Sequence, residues 1–355
     1  MHVFITGNMG YIGPTVAKVL SSDHAGITLT GYDTGFFAQC LTAAARFPES
    51  RLDRQVYGDV RDVDPDLLDG VDAVVALAAI SNDPMGNTFE KVTNDVNYEA
   101  TLALARKAKS RGVGHFVFAS SCSIYGLAEG GPRKEDDDVN PLTAYARSKV
   151  ATERALIELA DDRFTVTCLR FATACGWSER LRLDLVLNDF VAGALTTGRI
   201  HILSDGTPWR PLIVVDDMAR AISWAVKRDA ADGGDFLAVN TGSNVWNYQV
   251  RDLAKAVAEV VPGTEVVIDE QGQPDKRSYR VNFDLFEQLA PDHQPQVNLH
   301  AAIEALHEGM QRMSFADANY RDSALIRLKV LSGHIDSGRL DSNLAWSDDR
   351  QEGAR

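Results

Sequence analysis

The fold is decided by the opening stretch Met1-His2-Val3-Phe4-Ile5-Thr6-Gly7-Asn8-Met9-Gly10-Tyr11-Ile12-Gly13-Pro14. A short apolar run enters three glycines spaced by three, and the residues after them carry apolar side chains at helical spacing. A strand, a glycine turn and a helix in that order let the backbone approach a phosphate and aim the helix N-terminus at it. Pro14 suits the first helical turn, where its missing N–H has no helical partner to lose. The same glycines could form an ordinary tight turn, so the surrounding sequence has to decide.

Working outward, the next strand, over 27–32, leads into Asp33, about 20 residues beyond the glycines, where a carboxylate can accept both hydroxyls of an adenosine ribose. No arginine follows in residues 34–38, which favours NAD over NADP. Further strands over 73–77, 115–119 and 165–170 alternate with helices over 11–20, 96–111 and 145–159. That alternation predicts an α/β fold, a Rossmann-type doubly wound parallel sheet. Beyond Phe171 the pattern continues less regularly, with helices over 185–196, 218–227 and 250–260 and strands over 200–203, 236–240 and 265–268. We expect an NAD-binding domain over 1–171, rejoined by about 212–242, and a smaller α/β substrate-binding lobe over 172–315. A polar tail over 316–355, with Arg321, Arg327 and Lys329 on a helix and an acidic end over 341–352, reads as a solvated helix or a packing tail.

The whole-chain arithmetic is compatible with this. At 355 residues, 45% hydrophobic and 24% charged, the chain is an ordinary globular protein. Fifty acidic against 36 basic residues give a net charge of −14, which disfavours a nucleic-acid or anionic-membrane binder. No apolar run approaches the roughly 20 residues of a membrane span, and the N-terminus reads as a first strand rather than a leader, so a cytoplasmic protein is expected. Cys40, Cys122, Cys168 and Cys175 have neither CxxC spacing nor a pairing pattern, so no metal site is indicated and reduced thiols are expected.

Tyr145-Ala146-Arg147-Ser148-Lys149 places a phenol and an ammonium four residues apart, hence on one helix face. A nearby ammonium stabilises a phenolate, so such a pair can take a proton from a sugar hydroxyl. Upstream, Ser120-Ser121-Cys122-Ser123-Ile124-Tyr125-Gly126 forms a hydroxyl-rich strand end, where open α/β sheets gather ligand contacts. Taken in order, GxxGxxG, Asp33, the serine-rich Tyr125-Gly126 segment and YxxxK resemble the extended short-chain dehydrogenase/reductase family, the NAD-dependent nucleotide-sugar epimerases and dehydratases. The resemblance runs over about residues 1–305.

It implies roles for individual residues. Gly7, Gly10, Tyr11, Ile12 and Gly13 would cradle the NAD diphosphate, and Asp59 and Val60 would face the adenine. Leu77, Ala78 and Ala79 would lie under the diphosphate and ribose, and Asn97 would anchor the active-site segments. Tyr145 and Lys149 would be catalytic and also touch NAD, with Ser121, four residues before Tyr125, binding the reacting hydroxyl. Ser81, Thr173 and Asn188 are counted as substrate contacts, and Arg210 as the diphosphate-binding arginine, since a planar fork donates to two phosphate oxygens at once. Arg182 and Arg277 are further cations for that diphosphate, with surface ion pairs as their alternative.

Where family 4,6-dehydratases carry an Asp-Glu pair, this chain has Cys122 and Ser123, so Cys122 is a candidate acid–base group as well as a candidate small core residue. The expected activity is 4-epimerisation of a nucleoside-diphosphate sugar through a 4-keto intermediate, by a homodimer. A dehydratase or other 4-keto-sugar enzyme using Cys122 is the alternative, and a non-catalytic NAD-binding sensor a more distant one.

Overall fold

The computed structural model describes residues 1–81, 83–128, 130–269 and 277–347. Residues 274–276, beside Arg277, and the part of the acidic end beyond 347 lie outside the described residues. The strands are β1 (His2–Thr6), β2 (Thr28–Asp33), β3 (Arg54–Tyr57), β4 (Ala73–Ala76), β5 (His115–Ser121), β6 (Thr165–Phe171), β7 (Thr173–Cys175), β8 (Arg199–Ile202), β9 (Trp209–Val214), β10 (Phe236–Thr241), β11 (Asn247–Gln249) and β12 (Glu265–Ile268). The helices are α1 (Gly13–Asp23), α2 (Asp83–Thr88), α3 (Glu90–Asn94), α4 (Thr101–Ser110), α5 (Ala144–Ile157), α6 (Val186–Thr197), α7 (Val215–Ala225), α8 (Val250–Val260), α9 (Asp284–Leu289), α10 (Leu299–Arg312) and α11 (Arg327–Asp336).

Seven strands form one parallel sheet in the order β10-β6-β5-β4-β1-β2-β3. The order reverses at β1, whose neighbours are β2 and β4, and ligands of open α/β sheets bind in the crevice beyond such a switch point. Alternation along β1 assigns the two faces. Val3 and Ile5 pack with α1 and α7, while Phe4 packs on the other face with Leu104, Ala105 and Ala108 of α4 and Leu156 of α5. Strands covered on both faces read as continuous apolar runs, which is why β1, β4 and β5 stand out in the sequence.

The edge strand β3, Arg-Gln-Val-Tyr, carries no such run and has no counterpart among the expected strands; Tyr57 is exposed. The helix expected over 96–111 also differs: it begins as a π-helical turn, Asp95–Ala100, before α4. Such turns change which side chains face inward and often occur at functional sites.

The rest of the chain builds two small sheets, β11-β9-β7 and β12-β8, flanked by α6, α8 and α10. Asn298 caps α10 by accepting from the N–H of Ala301 at 2.9 Å. β10, although it follows β7 to β9 in the chain, joins the edge of the large sheet beside β6.

Candidate active site

A cleft opens where β1 and β4 diverge. It is lined by Gly7, Gly10, Tyr11 and Ile12 of the glycine turn, by Asp33 and Thr34 after β2, by Asp59 and Val60, and by Leu77 to Ser81 after β4. Gly7 has φ +74°, and a Cβ there would sit 2.5 Å from the Ala78 nitrogen, so the turn and the β4 exit meet only across a glycine. Gly13 is pressed against the backbone of Asn8 and lets α1 begin directly behind the turn. Pro14 occupies the first turn of α1.

Asp33 is fixed by two backbone donors, the N–H of Gly35 at 2.8 Å and of Met9 at 2.9 Å. Burial raises its carboxyl above the usual range, while these two bonds pull the other way. Asp59 caps the short helix Val60–Asp62 and pairs with Arg61 at 2.5 Å. Glycine turn, ribose-level carboxylate and apolar floor together fit a dinucleotide.

Tyr145 and Lys149 enter from α5, which starts where Thr143 Oγ1 accepts the Ala146 N–H at 3.2 Å. Tyr145 is half-buried, and the Ser121 hydroxyl at the end of β5 hydrogen-bonds its phenol. Tyr145 is not itself a wall of the cleft. It lies beside Arg182, which does line it, and beside Asp83. Burial pushes the phenol up to about 12, against the pull of Ser121. Lys149 is buried, with Nζ donating to the Ala119 carbonyl at 2.6 Å and lying 4.5 Å from the Phe118 ring and 5.4 Å from the Tyr145 ring. Burial lowers its ammonium to about 7, with Glu153 opposing. The sequence alone suggests an ammonium that draws the phenol down. Here desolvation dominates both groups, opposed at Tyr145 by Ser121 and Arg182 and at Lys149 by Glu153.

Asn97 is fully enclosed. Its side chain accepts from the Ile80 N–H at 2.8 Å and donates to the Ile80 carbonyl and to Ser148 Oγ, both at 3.1 Å. It therefore ties the segment after β4 to α5.

Among the other candidates, Ser81 Oγ accepts from Arg182 at 2.8 Å, and Arg182 pairs with Asp184 at 2.9 Å. Both Ser81 and Arg182 line the cleft between the glycine turn and Tyr145. Arg210 donates to the carbonyls of Trp209 and Arg277, and Arg277 pairs with Asp83, so a chain of polar contacts runs from β9 to the neighbourhood of Tyr145. Thr173 lies on β7, half-buried.

Two candidates are wholly enclosed by the protein. Asn188 is 0% exposed and spends its amide inside the protein, accepting from the Gly176 N–H and donating to Tyr11 Oη and the Arg182 carbonyl. It fixes the Tyr11 hydroxyl beside the glycine turn. Cys122, also 0% exposed, donates Sγ–H to the Arg170 carbonyl, and burial pushes the thiol far up, the setting of a small core side chain.

Several residues had no role assigned from the sequence. Glu153, one turn beyond Lys149, accepts from Ser120 and pairs with Arg170 at 2.8 Å, and Arg170 also donates to Tyr125 Oη at 3.1 Å. The spacing of Glu153 four residues after Lys149 was the available signal. Phe36 and Phe37 line the cleft, and so do Arg327, Leu331 and Leu344 of the tail, which are far away in sequence.

The comparisons agree with this geometry. The family model described as the NAD dependent epimerase/dehydratase family matches residues 3–242. A UDP-glucose 4-epimerase of Neisseria gonorrhoeae is 30% identical over 72% of this chain and 81% of that protein. A dTDP-glucose 4,6-dehydratase of Streptomyces griseus is 25% identical over 78% and 84%. The solved structure of MoeE5 in complex with UDP-glucose and NAD superposes with a TM-score of 0.74 at 25% identity, covering 88% of this chain and 99% of that one. A match over two thirds of the chain, which takes in the glycine turn, Asp33, Ser121, Tyr145 and Lys149, means that the chain belongs to the NAD dependent epimerase/dehydratase family.

Proposed function

We propose that the chain is a nucleotide-sugar 4-epimerase that works through a transient 4-keto sugar. The observation that carries the reading is the meeting of Tyr145, Ser121 and Lys149 beside a dinucleotide cleft, with Cys122 buried where the dehydratase pattern has a carboxylate. Relatives bearing the names epimerase and dehydratase both occur, and the closed-off thiol favours the first.

Gly7 to Gly13, Asp33, Asp59, Val60 and Leu77 to Ala79 would hold NAD, which supplies acceptance and return of the C4 hydride. Tyr145 takes the proton of the sugar 4-hydroxyl and gives it back, while Ser121 orients that hydroxyl through its contact with the phenol. Lys149 sets the charge felt by the phenol. Arg210 and Arg277 bind the substrate diphosphate, Ser81 and Arg182 border the sugar, and Thr173 contacts it from β7. Binding energy from the nucleotide holds the keto sugar while it presents its other face. A homodimer is the form implied by the family resemblance, and sedimentation equilibrium of the purified protein checks it.

The test is incubation with UDP-, dTDP-, GDP- and CDP-hexoses and hexuronates, without added reductant, followed by mass and proton NMR. An isomer of unchanged mass with inverted C4 couplings is expected, and loss of water contradicts the reading. Tyr145→Phe should lose at least about 10²-fold in turnover while still binding NAD.

A further inference from the structure

Residues 327–347 cross the mouth of the cofactor cleft. Leu331, Leu340 and Leu344 pack with Ile80, Met85 and Val92 in a separate apolar cluster. Polar contacts fix the crossing to the segments that follow β2 and β3. His334 Nε2 meets the Phe36 carbonyl at 3.0 Å, Trp346 Nε1 donates to the Thr34 carbonyl at 2.8 Å, and Arg61 donates to the Asn343 carbonyl at 2.8 Å.

Arg327 opens this segment, lines the cleft and is 1% exposed. Its guanidinium lies 4.7 Å from the centre of the Phe37 ring and donates to the Arg180 carbonyl at 2.7 Å. Among the described residues no carboxylate pairs with it. Of the neighbouring charges, Asp184 is already paired with Arg182, and the third guanidinium, Arg180, is paired with Glu49. Burial brings Arg327 down to about 10. A buried cation without a counter-charge is expensive, and an anion in the cleft would supply one.

The cleft already offers a phosphate cradle, the glycine turn, and Arg327 neighbours Arg182 and Asp184 as well as Arg180, and of these Arg182 also lines the cleft. We propose that Arg327 is a ligand of the bridging diphosphate of the dinucleotide, and that the segment it opens covers the bound cofactor. This rests on reading the cleft as an NAD site.

The test is calorimetric titration of the nucleotide-stripped protein with NAD, ADP and adenosine, which shares the base and ribose but lacks the diphosphate. Arg327→Gln should weaken NAD and ADP about tenfold to a hundredfold and leave adenosine unchanged, with Arg327→Lys recovering part of the loss. Equal weakening of all three, or of none, overturns the proposal. If the unaltered chain binds no NAD, the cofactor reading itself fails; if it binds NAD and Arg327→Gln binds it equally well, only the proposal fails. Should Arg327→Gln not fold, hydrogen exchange on the unaltered chain decides: amides of 327–347 should exchange more slowly with ADP than with adenosine, and equal rates contradict the assignment.

Discussion

Lys149 carries a measurable penalty. Its ammonium titrates near 7 in the folded chain and near the ordinary lysine value of 10.5 when unfolded. Between those values the unfolded chain binds the proton and the folded chain does not, so this group makes stability rise with pH from about 7 to 10.5, and below 7 its penalty is fully present. Lys149→Met should therefore be more stable by about 1–3 kcal/mol at pH 7, with the advantage shrinking towards pH 10, as urea unfolding at the two pH values would show. A variant less stable at pH 7 would mean that the ammonium is favourably solvated. Cys122→Ala, in contrast, should cost about 1–2 kcal/mol of stability through a small cavity and leave turnover intact; loss of turnover in a folded variant would return Cys122 to the chemistry. The sequence pairs Tyr145 with Lys149 by spacing alone, but the direction in which each pKa moves depends on burial, which spacing does not contain.

At the scale of elements, α5 is useful only if held in register with the exit of β4, and Asn97 does this through three hydrogen bonds. Asn97→Ala orphans the Ile80 N–H and carbonyl, which should cost about 2–4 kcal/mol and lower kcat more than it raises the NAD dissociation constant. Unchanged kcat with lost stability would make Asn97 purely structural. The motif order points to this asparagine, but the π-helical turn that carries it is not visible in a pattern of apolar periodicity. Strand β3 escapes notice for a related reason: an edge strand with mixed polar residues carries no apolar run. Asn188 shows the converse. A polar residue in a segment associated with substrate binding turns inward because Tyr11, Gly176 and Arg182 all need a buried partner there.

For the whole molecule, the parallel sheet and its switch point were legible because the strands are doubly covered and the glycine turn is sterically required. The tail's role was not legible. Its composition is polar, and Leu331, Leu340 and Leu344 gain meaning only against Ile80 and Met85, some 250 residues earlier in the chain. The ion pair of Glu153 and Arg170 likewise joins α5 to β6 beneath the site. Glu153→Ala should cost about 3–5 kcal/mol by stranding Arg170, and the Glu153→Ala, Arg170→Met double variant should recover part of it in thermal unfolding; an undiminished loss would show that the pair is not coupled.

In 4-epimerisation through a 4-keto sugar, hydride leaves and returns to the same carbon. The most direct measurement uses a nucleoside-diphosphate hexose deuterated at C4, chosen from those the protein converts, with the label followed by NMR through to equilibrium. Deuterium is expected at C4 of both epimers, with none released to water and none at C6. Deuterium at C6 of a dehydrated product, or its loss to solvent, would contradict it.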